Sequence, residues 1–135
     1  MRVIVTGGTG FIGGSLVKKL LGQGHDVQVI ARTVPPPDDK NLEGAVYHSC
    51  DLSARQIPPS ILSGVDLIFH VAAKAGVAGT YSSYHSANYQ ATLNVLESCL
   101  STGIPRLVYT STPSVTFSGK PIRAGTESLP YAKDK

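Results

Sequence analysis

The sequence predicts a doubly wound α/β domain with a parallel sheet in strand order 3-2-1-4-5 and right-handed crossovers. Three observations carry that expectation. A β-branched run at Val3–Val5 breaks into glycines and then into an amphipathic stretch. Strand and helix patterns alternate along the chain over five strands. The run from Val65 to Val71 is almost continuously apolar, which suits a sheet covered on both faces.

In order, Arg2–Thr6 reads as strand one, and Phe11, Ile12, Leu16, Val17, Leu20 and Leu21 then fall on one side of a helix. Gly22 and Gly24 end that helix, and Asp26–Ala31 is strand two. Residues 33–44, with Pro35, Pro36, Pro37, Asp38 and Asp39, read as an exposed loop. Ala45–Ser49 is a short strand three, and Pro58 and Pro59 leave room only for a short helix around Ser60–Leu62. Val65–Val71 is strand four, and residues 72–83 form a loop. Tyr84–Ser101 is a long helix whose buried side carries Ala87, Ala91, Val95, Leu96, Cys99 and Leu100. Gly103 and Pro105 stop it, and Arg106–Ser111 is strand five. Past Thr112 the periodicity is lost among Pro113, Gly119, Pro121, Gly125 and Pro130. Sheets of this kind usually continue, so residues 1–135 are expected to be the N-terminal part of something longer, without its substrate-binding part.

The glycines have separable jobs. Gly7 makes the tight turn off the strand, Gly10 lets the backbone approach a pyrophosphate, and Gly13 lets the helix pack close to the sheet. The spacing fits G-x-G-x-x-G at Gly8, Gly10 and Gly13, and T-G-x-x-G-x-x-G at Thr6, Gly7, Gly10 and Gly13. The helix start then presents unpaired N–H groups and a positive dipole end to phosphates. An NAD-preferring domain places an acid about 20 residues further on, at the end of strand two. Arg32 stands there instead, with no acid between Asp26 and Asp38. Its planar fork suits a 2′-phosphate, which favours NADP over NAD, although it also reads as an ordinary exposed strand-end arginine.

Composition excludes several classes. The net charge is only +3 and no basic run exists, so nucleic acid is not an expected partner. No apolar run approaches the roughly 20 residues of a membrane span. Met1 leads almost directly into strand one, which leaves no room for a signal peptide and predicts a cytoplasmic address. Cys50 and Cys99 lack metal-ligand partners and read as small buried hydrophobes, so no metal site is expected. His70 reads as a core residue of strand four, and His25, His48 and His85 have no nucleophile–acid pattern around them.

Taken together, these motifs resemble the extended short-chain dehydrogenase/reductases, in the branch of the 3β-hydroxysteroid dehydrogenase/isomerases and sugar-nucleotide epimerases, with a Rossmann-like fold. Thr6 to Gly13, including Phe11 and Ile12, matches that family's cofactor turn. Cys50-Asp51-Leu52 is similar to its G-D-L, where the Asp contacts adenine, although Asp51 also reads as the N-cap of a helix at Ser53. His70-Val71-Ala72-Ala73 resembles H-x-A-A, whose backbone lines the cofactor. Asn88 to Asn94 resembles N-x-x-G-T-x-N, departing at Ala91. Val108 to Thr112 resembles the strand that ends in the active-site hydroxyl, with Thr112 in that place and Ser111 beside it. The strings His70 to Val77 and Tyr109 to Val115 are especially similar to those of 2-alkyl-3-oxoalkanoate reductases.

The resemblance implies an NAD(P)-dependent oxidoreductase that interconverts a hydroxyl and a ketone on an apolar, steroid-like or 3-oxoalkanoate-like small molecule. It leaves room for a homodimer. In this reading Thr112 or Ser111 holds the carbonyl, a tyrosine donates the proton and the nicotinamide supplies hydride; Thr112 also reads as the cap of a turn. Two rivals share the cofactor half: a sugar-nucleotide epimerase or dehydratase, and a non-catalytic module that senses NADP. Tyr131 and Lys135 satisfy the family's Tyr-x-x-x-Lys spacing but read as a decoy. Pro130 precedes them, the run is too short for a second helical turn, and Tyr131 lies only 19 residues past Thr112.

Overall fold

A computed structural model describes residues 1–34, 43–76 and 78–132. The expected loop residues Pro35 to Asp39, together with Val77 and Lys135, lie outside the described residues. Five parallel strands form one sheet in the order β3-β2-β1-β4-β5, as the alternation predicts. They are β1 (Arg2–Thr6), β2 (Asp26–Ala31), β3 (Val46–Ser49), β4 (Leu67–His70) and β5 (Leu107–Tyr109). Central strand β1 pairs with β2 from Arg2↔Asp26 to Thr6↔Ile30, and with β4 from Val3↔Leu67 to Thr6↔His70.

Period-two alternation divides the strand side chains between two cores. Val3, Val5, Val27, Val29 and Leu67 pack with Val17 and Leu20 of α1 (Phe11–Gly22). Ile4, Ile30 and Ile68 point the other way and pack with Ala91, Val95 and Cys99 of α4 (Ala91–Thr102). Both faces of the central strands are therefore covered, which is why Val3–Val5 and Leu67–Phe69 read as apolar runs. Cys50 and Cys99 are free and buried in the α4-side core, and burial pushes the Cys99 thiol up.

Several expectations are corrected. Strands three, four and five are shorter than the apolar runs that encode them. At the end of β4 the N–H groups of Val71 and Ala72 turn from the sheet ladder to the Thr6 hydroxyl. The short helix is α2 (Pro59–Leu62). The long helix starts earlier, as α3 (Tyr81–Tyr84) capped by Thr80, and widens into a π-helical stretch at His85–Gln90 before α4. Phe11 and Ile12 do not join the buried side of α1; they are 93% and 59% exposed at its start.

The buried face of α4 also differs. Leu96 and Leu100 are exposed, whereas Asn94 and Ser98 are buried. The reason lies in the irregular segment between β3 and α2, whose backbone cannot satisfy itself in a sheet or helix. Asn94 donates to the Leu52 carbonyl at 2.7 Å, and Ser98 Oγ accepts the Ile57 N–H at 3.0 Å. Two polar side chains thus occupy core positions because loop backbone is buried against them.

Candidate functional site

Phosphate-turn geometry begins with Gly7, whose φ of +70° lies in the left-handed region and whose N–H donates to the Ile30 carbonyl at 2.9 Å. A Cβ at Gly7 would lie 2.8 Å from the Cα of Ala72, so the turn after β1 rests directly on the chain leaving β4. A Cβ at Gly13 would run into the Gly7 carbonyl oxygen, and one at Gly8 would sit 2.7 Å from Val29. It is therefore Gly8, not Gly13, that brings the turn close to the sheet; Gly13 lets α1 start against the backbone of its own turn. Gly10 is different, since a Cβ there meets only the Gly7 oxygen, at 3.3 Å. Of the four glycines in the turn, Gly10 thus leaves the most room for a side chain.

The N-terminus of α1 has no side-chain cap and no acid in its first turn. Its first internal bond runs from the Gly14 N–H to the Gly10 carbonyl at 2.7 Å. The N–H groups of Phe11, Ile12 and Gly13 precede that bond and keep the positive dipole end uncompensated.

Flanking this turn, Arg32 is exposed immediately after β2. Asp51 is exposed too, and its carboxylate accepts the Ser53 N–H at 3.0 Å and the Ser53 hydroxyl at 2.7 Å. Those two bonds, then the charges of Arg32 and Arg55, hold it below the usual carboxylate range. No helix forms at Ser53; Asp51 caps a turn whose Ala54 and Arg55 N–H groups return to its carbonyl. Leu52 buries its side chain in the α4-side core.

A hydrogen-bonded relay that sequence reasoning missed crosses the sheet end. Thr6 Oγ1 accepts N–H groups from Val71 at 3.2 Å and Ala72 at 3.1 Å, which fills its lone pairs. Its proton must then go to His70 Nδ1, 2.7 Å away. That fixes the tautomer: Nε2 carries the ring proton and donates to Thr92 Oγ1 at 3.1 Å. Thr92 donates in turn to the Asn88 carbonyl at 2.6 Å. Within the π-helical stretch, the Asn88 side chain accepts the Lys74 N–H at 2.7 Å and donates to the Lys74 carbonyl at 3.1 Å. Ala72 is half-buried and Ala73 exposed inside this clamp. The signal was available in principle, because Thr6 and His70 are register partners on neighbouring strands of the expected order.

His70 is 1% exposed and stacked on Tyr109, and burial lowers its pKa from 6.5 to about 4. A proton on Nδ1 would also face the Thr6 proton. Below pH 6.5 the unfolded chain takes up a proton that the folded chain refuses. The His70 contribution is therefore complete above pH 6.5 and is lost as pH falls towards 4. Chemical unfolding between these limits should show stability falling by about 1.4 kcal/mol per pH unit, roughly 3 kcal/mol in all. His70→Asn should flatten that slope; an unchanged slope would assign it to other groups.

Ser111 and Thr112 follow β5 on the same rim of the sheet and are exposed. Thr112 Oγ1 accepts the Ser114 N–H at 3.3 Å and caps the 3₁₀ turn Pro113–Thr116. No bond joins Ser111 or Thr112 to Gly7, Ala72 or Asn88 among the described residues. Tyr131 is 79% exposed in irregular chain, not on a helix.

Comparison with known proteins identifies the family and the fold. The family model described as "3-beta hydroxysteroid dehydrogenase/isomerase family" matches residues 4–135. The chain is 42% identical to a 2-alkyl-3-oxoalkanoate reductase of Stenotrophomonas maltophilia (strain K279a), over 99% of this chain and 41% of that protein. It is 37% identical to the decarboxylating sterol-4-alpha-carboxylate 3-dehydrogenase of Homo sapiens, over 97% of this chain and 34% of that protein. The solved structure of MoeE5 in complex with UDP-glucuronic acid and NAD superposes with a TM-score of 0.81 at 30% identity, covering 98% of this chain and 43% of that one. The chain thus spans well under half the length of the relatives it matches.

Proposed function

Because this chain belongs to the 3-beta hydroxysteroid dehydrogenase/isomerase family, we propose that residues 1–135 are the dinucleotide-binding part of an NAD(P)-dependent oxidoreductase. The reaction interconverts a hydroxyl and a ketone on an apolar small molecule. One observation carries the reading: the Gly7–Gly13 turn has an uncapped helix N-terminus beside Gly10, the least crowded of the turn's glycines. Room left at Gly10 is room for a pyrophosphate.

The roles follow from position. Gly7, Gly10, Phe11, Ile12 and Gly13 hold the pyrophosphate through backbone N–H groups and close approach. Arg32 takes the 2′-phosphate of NADP, and Asp51 and Leu52 border the adenine. Ala72, Ala73 and the Asn88-clamped backbone line the other half. When bound, the nicotinamide supplies or accepts the hydride. Thr112, with Ser111 beside it, donates a hydrogen bond to the reacting carbonyl, which steadies the negative charge that develops on its oxygen.

The two relatives named above act on a 2-alkyl-3-oxoalkanoate and a sterol-4-alpha-carboxylate. Both names describe a largely apolar body with its carboxylate on the carbon next to the reacting one, and we assign this chain a substrate of that class. A sugar-nucleotide epimerase or dehydratase is the second reading, favoured by the likeness to a UDP-sugar-bound structure. Two buried free thiols fit a reducing, cytoplasmic setting. No helix among the described residues is long and apolar enough to cross a membrane.

The cofactor assignment is tested by titrating the chain and its Arg32→Ala variant with NADPH and NADH. Wild type should bind NADPH at least about tenfold tighter, as a charge-assisted bond to phosphate provides. Arg32→Ala should lose that margin while NADH affinity changes less than about twofold. Equal loss for both cofactors would remove the 2′-phosphate from Arg32.

A further inference from the structure

The relay joins three segments that come from distant parts of the chain. Thr6 closes β1 at the edge of the glycine turn, His70 closes β4, and Thr92 and Asn88 belong to the helix between β4 and β5. Every polar atom in it has a partner, and the direction of each bond is fixed by donor counting. Both of its ends act on one short stretch of backbone. Thr6 takes the N–H groups of Val71 and Ala72, while Asn88 grips the N–H and the carbonyl of Lys74.

Sheet order says which half of a dinucleotide meets that stretch. With the pyrophosphate at the turn after β1 and the adenosine ribose at Arg32 after β2, one half lies on the β2 side. The remaining half must cross β1 towards β4 and β5, where Val71–Lys74 and Thr112 emerge. We propose that His70 is a positioning residue: through Thr6, Thr92 and Asn88 it fixes the Val71–Lys74 backbone as the seat for the nicotinamide half of the dinucleotide. The inference rests on the dinucleotide reading above and adds a residue that need not touch the ligand. His70 suits the task because an imidazole accepts on one nitrogen and donates from the other, which bridges two hydroxyls across the sheet end.

The experiment compares NADPH with adenosine 2′,5′-bisphosphate, the fragment that carries only the adenosine half, by calorimetric titration of the 135-residue chain. Thr92→Val keeps the side chain's shape and breaks both bonds at the far end of the relay. His70→Asn retains an acceptor for Thr6 and loses the link to Thr92. Both variants should bind NADPH about five- to tenfold more weakly while bisphosphate affinity stays within about twofold, and Thr92→Ser should restore NADPH binding. A purely structural role would move both ligands together or neither, and either result overturns the proposal. Should a variant fail to fold, wild-type chain labelled with ¹⁵N histidine gives the answer. The His70 ring signals should shift with NADPH and hold still with the bisphosphate; no shift with NADPH, or equal shifts with both, rejects the seat. If wild type binds neither ligand, the dinucleotide reading itself fails, and this inference with it.

Discussion

Gly10→Val should leave the chain folded and lower dinucleotide affinity by about 100-fold or more. A Cβ at this position meets only the Gly7 oxygen, at a tight 3.3 Å that asks for a far smaller shift than the overlap at Gly13, and the backbone, with φ −85° and ψ 174°, is extended and suits a β-branched residue. The new methyl groups instead fill the space in front of the α1 N-terminus, where a pyrophosphate must come within hydrogen-bonding distance of N–H groups. Gly13→Ala supplies the contrast. Its Cβ collides with the Gly7 carbonyl, which is backbone in a turn wedged against Ala72, so neither side can give way cheaply. That variant should lose about 3 kcal/mol of stability and bind poorly because the turn is broken. Thermal melts and NADPH titrations of the two variants separate the effects. A strongly destabilised Gly10→Val, or one that binds normally, would place the phosphate elsewhere.

Thr112→Val carries the second large effect, in a longer protein that contains this chain and reduces ketones. Loss of the hydroxyl should lower kcat by roughly 10²–10³, the usual cost of one donor to a developing oxyanion, with NADPH affinity nearly unchanged. The side chain is exposed, and among the described residues its hydroxyl bonds Ser114 alone, accepting the N–H at 3.3 Å and donating to the hydroxyl at 3.2 Å, so stability should hardly move. In the same protein Tyr131→Phe should turn over at near the wild-type rate. Tyr131 sits in irregular chain behind Pro130, and its neighbour Ala132 is tied back to the Val115 carbonyl at 2.7 Å. Loss of about 10²–10⁴ in rate on Tyr131→Phe would make it the general acid after all. An unaffected Thr112→Val would pass the carbonyl role to Ser111 or away from β5.

The sheet was legible because its determinants are local and periodic. Alternation of strand and helix patterns gives a parallel sheet, and the glycine turn after the first strand identifies the middle of it. What escaped was set by partners far away in sequence. Periodicity assigns Leu96 and Leu100 to the core of α4, yet the helix is rotated so that Asn94 and Ser98 can satisfy the backbone around Leu52 and Ile57. Only the folded contact reveals that demand. Phe11 and Ile12 continue the apolar stripe of α1, but they stand in its first turn and are exposed there. Asp51 reads as a cap from sequence and is one, although for a turn and not for a helix. The Thr6–His70–Thr92 relay needed the register of β1 against β4 before any of its three members could be connected.

The central place of β1 also bears on how the chain emerges during synthesis. Thr6 and its partner His70 are 64 residues apart, with β2 and β3 made in between. At translation speeds of about 5–20 residues per second, β1 waits roughly 3 to 13 s with one hydrogen-bonding edge unfilled. An early β1–α1–β2 unit can cover only the Val3 and Val5 face; Ile4 stays wet until α4 arrives. The nascent chain therefore passes through a half-sheet stage with an open strand edge and one bare apolar face, the kind of species that chaperones engage.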